Sequence, residues 1–198
     1  FDKPENCVLI YKHPMAGYRD LDVGGVDSYN MDSTKTSNSL GGMIVYRRRH
    51  DSAQIESGIP ICMYYERPPR KEIFYDICLK ISVYYNLNRN VMVDAGSPMI
   101  IDYFKNTGGL RYLAKRPRSM ESENSEQMHE FGMKFTVYSR PLSESMMQSN
   151  ILDNAHKWVF PQLVSDCMNY EEGNKDNDND LHDAMCLALA RDKDIRIS

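Results

Sequence analysis

The chain has 198 residues, 41% of them hydrophobic and 26% charged, which is enough for one domain with its own core. A formal net charge of −4 argues against a broad basic coat for nucleic acid, but leaves room for a local basic groove beside an acidic centre. No apolar run approaches the roughly 20 residues of a membrane span and no secretory pattern opens the chain, while five cysteines without a Cys-x-x-Cys spacing fit neither a disulfide framework nor a thiolate zinc site.

Residues 21–27 (Leu-Asp-Val-Gly-Gly-Val-Asp), 42–48 and 59–66 are short β-rich runs separated by turn-forming stretches, and are predicted as three consecutive antiparallel strands. After Arg67-Pro68-Pro69, the apolar residues Ile73, Ile77, Ile81 and Tyr84, with Phe74, Cys78 and Tyr85 alongside, recur at helical spacing as far as Asn86. Val91-Met92-Val93-Asp94 follows a crossover of that length and is expected to be a buried, parallel strand. Ser97 as N-cap and Pro98 at the first position open a helix running to Lys105 and closed by Gly108-Gly109. Residues 110–114 are expected as a fifth strand, and 143–155, 158–170 and 181–191 as helices. Two polar stretches, 119–130 and the Asp/Asn-rich 171–180, are expected as solvated loops; the second lacks the glycine and closing glutamate of an EF-hand.

This order predicts an α/β fold: a mixed sheet of the ribonuclease H-like type, three antiparallel strands followed by parallel ones, flanked by helices in a single domain. The carboxylates then fall in a pattern. Asp27 closes the first predicted strand, Asp94 closes the fourth, and Asp183 lies in the first turn of the last helix. Singly, the two strand-end aspartates fit turn formers; jointly, they arrive at one edge of an open α/β sheet, where ligands bind. Like charges gathered there raise one another's pKa unless a cation neutralises them. Oxygen ligands select Mg²⁺ or Mn²⁺, and two such ions about 4 Å apart suit in-line phosphodiester hydrolysis.

At these residues the sequence resembles the C-terminal nuclease domain of the large terminase subunit of tailed phages. The resemblance runs through Gly-Gly-Val-Asp27, then Leu40-Gly41-Gly42-Met43-Ile44-Val45-Tyr46, then Tyr65-Glu66-Arg67-Pro68 before a helix ending Tyr84-Tyr85-Asn86. It continues through Val93-Asp94 and Ile100-Ile101-Asp102-Tyr103-Phe104, and ends in Asn179-Asp180-Leu181-His182-Asp183-Ala184 before Leu187-Ala188-Leu189-Ala190. It implies a two-metal (Mg²⁺ or Mn²⁺) endonuclease cleaving double-stranded viral DNA concatemers during genome packaging in the cytoplasm of the infected bacterial host. The matching metal ligands are Asp27, Asp94 and Asp183. Many members carry Glu where Asp94 stands, and the closing motif often has two adjacent acids where His182 precedes Asp183, so Asp180 or Asp32 would supply a further oxygen.

The expected partners are duplex DNA and, in the full system, an ATPase domain, a portal and a small terminase subunit, with no membrane. No Gly-x-x-x-x-Gly-Lys-[Ser/Thr] phosphate loop occurs, so the nuclease part alone is expected. His182 is expected on the helix surface. For phosphate contact the candidates are Lys115, Arg116 and Arg118, after the predicted fifth strand, and Arg140. A Holliday-junction resolvase or transposase would share the acid triad, and a non-catalytic binding module would use the same carboxylates structurally.

Overall fold

The structure, a computed structural model, describes residues 7–30, 40–120, 130–171 and 179–197. Its five-stranded sheet has the order β1-β4-β3-β2-β5, built from β1 (Leu9–Ile10), β2 (Asp22–Asp27), β3 (Gly41–Arg47), β4 (Ile59–Glu66) and β5 (Val91–Val93). β2, β3 and β4 pair antiparallel as predicted, and β5 joins β2 in parallel with Gly25 opposite Met92. The crossover between them carries α1 (Lys71–Tyr84); α2 (Pro98–Asn106), α3 (Ser139–Asn154), α4 (Pro161–Asn169) and α5 (Asp180–Ile197) follow.

Both faces of the sheet are covered, which is why β3 is buried along its whole length rather than alternating. On one face Met43 and Val45 of β3 and Tyr64 of β4 pack with Phe74, Cys78 and Ile81 of α1 and Phe104 of α2. On the other, Val23, Ile44, Tyr46 and Met63 meet Met147 of α3, Leu163 of α4 and the run Leu181 to Leu189 of α5. A bulge in β4 between the partners of Val45 and Tyr46 leaves Ile61 without a partner in β3, so Ile61 and Cys62 both face the α1 side.

Several expectations are corrected. The two-residue β1 was not foreseen; it exists through pairing with β4 at the sheet edge. The fifth strand expected at 110–114 is a 3₁₀ turn, Leu110–Tyr112, followed by a single parallel bridge from Leu113 to Val91. The chain then runs beside β5 in two pieces, with Ala114 N–H donating to Val91 O and Met133 N–H to Val93 O. The helix expected from 158 starts at Pro161, a residue suited to the first helical position. Ser97 occupies the N-cap position of α2 but caps nothing; its hydroxyl donates instead to Ser28 O at 2.6 Å, tying α2 to the segment that follows Asp27. Of the two polar stretches, 121–129 and 172–178 lie outside the described residues, as does Asp32; at their described ends, 118–120 is a 3₁₀ turn and Asp180 begins α5. Among the described residues no helix is long and apolar enough to cross a membrane.

A buried ion pair closes the far end of β2 and β3. Arg47 donates from Nε to Asp22 Oδ1 at 2.8 Å and from Nη2 to Asp22 Oδ2 at 3.2 Å and His13 O at 2.9 Å, with side chains 4% and 6% exposed. Burial raises the Asp22 pKa by more than Arg47 lowers it. Such a pair adds little to stability by existing and costs much when halved. Asp22→Ala is expected to lose about 3–5 kcal/mol in urea unfolding, and the double variant Asp22→Leu/Arg47→Met to lose less.

Candidate active site

Asp27 sits at the C-terminal end of β2 on the face that carries Gly25, the face that α5 covers. Two glycines allow α5 to lie there. A Cβ on Gly25 would fall 1.9 Å from Ala184 O, and one on Gly42 would fall 2.7 Å from Asp180 O. With no side chain in the way, the first turn of α5 rests directly on β2 and β3 and delivers Asp180 and Asp183 to the carboxylate of Asp27. Asp180 Oδ2 accepts the Leu40 N–H at 3.1 Å, which pins the start of β3 to the same helix turn.

Asp94 follows β5, and its N–H donates to Val26 O at 3.0 Å, so it sits beside the end of β2. It is also a turn former: its Oδ1 accepts Gly96 N–H at 2.9 Å. The two roles are compatible, because one carboxylate has lone pairs for both.

The electrostatics record the convergence. Burial, and then the charges of Asp183, Asp180 and Asp94, hold the Asp27 carboxyl well above the usual carboxylate range, with Arg140 opposing. Asp94 is raised by burial and by Asp183, against the Gly96 hydrogen bond and the charges of Arg140 and Lys134. Asp183 goes the other way. Its burial favours the neutral acid, but hydrogen bonds from His182 and Arg140 outweigh burial and lower its pKa. The structure thus brings Asp27, Asp94, Asp180 and Asp183 together. Among the described residues, however, no three His, Cys, Asp or Glu groups stand in a ready metal-holding arrangement.

The expectation for His182 is overturned: it is buried, 3% exposed. Its ring stacks on Tyr170 with centroids 3.9 Å apart and planes 10° apart, its backbone N–H donates to Asp166 Oδ2 at 2.8 Å, and its ring Nδ1 lies 3.2 Å from Asp183 Oδ1. Tyr170 in turn donates its hydroxyl to Glu144. His182 therefore supports Asp183 from behind. Glu144, Asp166 and Tyr170 were not foreseen, since they lie on α3, α4 and the segment after α4 and share no spacing with the acids.

Arg140 also differs from expectation. Rather than lying on an outer basic surface, it turns into the centre and grips Asp183, Nη1 to Oδ1 at 2.5 Å and Nη2 to Oδ2 at 2.9 Å. Lys115 and Arg118 are exposed and Arg116 half-buried. Lys115 pairs with Glu130 at 3.5 Å and faces Phe131 across an antiparallel bridge, two residues from the Met133 that bridges Asp94. The basic segment therefore runs along the sheet edge next to the acids.

No protein-family model and no curated protein matches the sequence. Solved structures do. The large terminase nuclease from the thermophilic phage G20c, in a structure with bound zinc, aligns over 95% of this chain and 90% of its own at a TM-score of 0.58 and 12% identity. The same nuclease without a named ligand gives 0.57 and 10% over 95% and 90%, and with bound magnesium 0.58 and 11% over 95% and 89%. At 10–12% identity this likeness is one of fold: the chain has the ribonuclease H-like α/β fold of the phage large terminase nucleases.

Proposed function

We propose that the chain is a divalent-metal-dependent endonuclease of the terminase type, which cuts double-stranded DNA concatemers during genome packaging in the host cytoplasm. The observation that carries this reading is the gathering of Asp27, Asp94, Asp180 and Asp183 at one sheet edge, on the fold of a nuclease that has been seen with magnesium and with zinc.

The donor set fits hard divalent cations. All four groups are carboxylates; burial first, and then the charges of Asp183, Asp180 and Asp94, raise the Asp27 pKa, and a cation would relieve the repulsion among them. Asp27, Asp94 and Asp183 would hold the metal, with Asp180 beside them. Two bound ions would supply Lewis acidity for an attacking water and for the leaving oxygen. The protein's own part is positional. His182, wedged between Tyr170 and Asp183, fixes the orientation of the Asp183 carboxylate, and the α5 backbone seated on Gly25 and Gly42 fixes its depth. Lys134 near Asp94 and the Lys115-Arg116-Pro117-Arg118 stretch along the edge would hold the phosphate backbone, giving sequence-independent, salt-sensitive affinity. An ATPase domain, a portal and a small terminase subunit would supply the DNA.

The test is cleavage of supercoiled and linear plasmid in Mn²⁺ or Mg²⁺. Nicking and linearisation are expected with metal and not with a chelator, with duplex preferred to a four-way junction. Absence of cleavage at millimolar concentrations of either metal, or cleavage untouched by Asp183→Ala, would falsify the reading.

A further inference from the structure

The acidic centre already contains a cation of its own. Arg140, in the first turn of α3, meets Asp183 fork to fork, and both oxygens of that carboxylate are taken. Its guanidinium carbon lies 3.8 Å from the centroid of the Phe135 ring, and its side chain is 31% exposed. Asp27 and Asp94 feel the same charge. One delocalised guanidinium thus counterbalances three carboxylates from three separate elements. The lone pairs it uses on Asp183 are those a metal would need, which accords with the lack of a ready metal-holding group among the described residues.

Two features suit this arginine to leaving. It is held on one side by an aromatic face and on the other by a single carboxylate, with about a third of the side chain open to solvent. A guanidinium also matches a phosphate as well as it matches a carboxylate, with the same two-pronged geometry. Lys134, exposed and near Asp94, extends the positive rim on that side.

We propose that Arg140 is a place-holding counter-ion: divalent metal displaces it from Asp183, and the freed guanidinium then pairs with a backbone phosphate of the bound DNA. The closed, metal-free site is thereby partly compensated in charge, and metal loading and DNA engagement are coupled through one side chain. This rests on the metal-nuclease reading above.

The test titrates Mn²⁺ alone into wild-type protein, Arg140→Ala and Arg140→Lys by calorimetry. Arg140→Lys retains a charge beside Asp183 if the alanine variant proves poorly folded. Removing a resident competitor is expected to tighten Mn²⁺ binding by about tenfold or more in Arg140→Ala, a usual size for coupling between two ligands, with Arg140→Lys in between. In Ca²⁺, a short duplex should bind Arg140→Ala more weakly, with a salt slope shallower by about one. Mn²⁺ binding that is unchanged or weaker in both variants overturns the place-holding role. Tighter Mn²⁺ binding with unchanged duplex affinity overturns the phosphate role. No Mn²⁺ binding by any of the three proteins overturns the metal-nuclease reading itself, a result distinct from the other two.

Discussion

Asp27→Asn is expected to abolish cleavage and, in the absence of metal, to make the protein more stable. The first effect follows from its place at the centre of the acids: outer partners of metal ligands cost roughly 10–100-fold when removed, so loss of a direct ligand should cost at least about a hundredfold. The second follows from the sign of its pKa shift. Burial first, and then Asp183, Asp180 and Asp94, raise the Asp27 pKa in the folded chain. The folded state therefore binds this proton more tightly than the unfolded state, and the stability contributed by the group falls as pH rises from the ordinary carboxylate range toward the elevated folded value. At neutral pH the residue is a liability that asparagine removes at nearly constant shape. A relief of about 1 kcal/mol moves the melting temperature by about 2–4 °C at this size. The gain should shrink as pH is lowered toward 4, where the unfolded chain also takes up the proton. Mn²⁺ should raise the melting temperature of the wild type and leave Asp27→Asn unmoved. A metal-free Asp27→Asn protein that melts below the wild type at pH 7 would mean that the carboxylates are not in conflict.

Local signals carried most of the fold. β2, β3, β4, α1 and α2 lie within about two residues of their sequence-based bounds, because each has a strong period or a turn residue at its ends. Sequence pattern and structure part where long-range contact outweighs local pattern. Leu9–Ile10 is too short to show any period, and only the free edge of β4 makes it a strand. Residues 110–114 form an apolar run, and burial of Tyr112, Leu113 and Ala114 against β5 and α2 could be met as well by a turn as by a strand. The interior place of His182 does have a signal in the sequence. α5 is apolar on every side through Leu181, Ala184, Met185, Cys186, Leu187 and Ala188, and a helix of that kind is enclosed, so a histidine within it belongs to the interior. In the site, the order of Asp27, Asp94 and Asp183 could be read from the chain because each closes or opens an element. The partners of Asp183 could not be: Arg140 is 43 positions away on another helix, and nothing in its spacing distinguishes it from a surface arginine.

Gly25→Ala should be the most damaging added methyl among the described glycines, while Gly24→Ala, one residue away, should be tolerated. Successive side chains in a strand point to opposite faces, and the two glycines meet different obstacles. A Cβ at Gly24 would reach Leu87 Cδ1 at 3.1 Å and Met43 Cε at 3.5 Å, both ends of flexible side chains. A Cβ at Gly25 would reach Ala184 O at 1.9 Å and Ala188 N at 2.5 Å, both backbone atoms of α5. A helix backbone cannot rotate aside, so α5 would have to lift as a body. Lifting it opens the packing of Leu181, Ala184, Met185 and Ala188 and breaks hydrogen-bonded contact between Asp180 and Leu40. Overpacking of a core costs about 1–3 kcal/mol and more when the obstacle is rigid, so a loss of about 3 kcal/mol or more is expected for Gly25→Ala in urea unfolding. Gly24→Ala should stay within about 1 kcal/mol of wild type, since its contact can relax and alanine restricts the unfolded chain. The same displacement moves Asp183 away from Asp27, so Gly25→Ala should lose cleavage even at a temperature where circular dichroism shows it folded. If the two variants unfold at the same urea concentration, α5 is not seated on Gly25, and the route by which its acids reach Asp27 must be different.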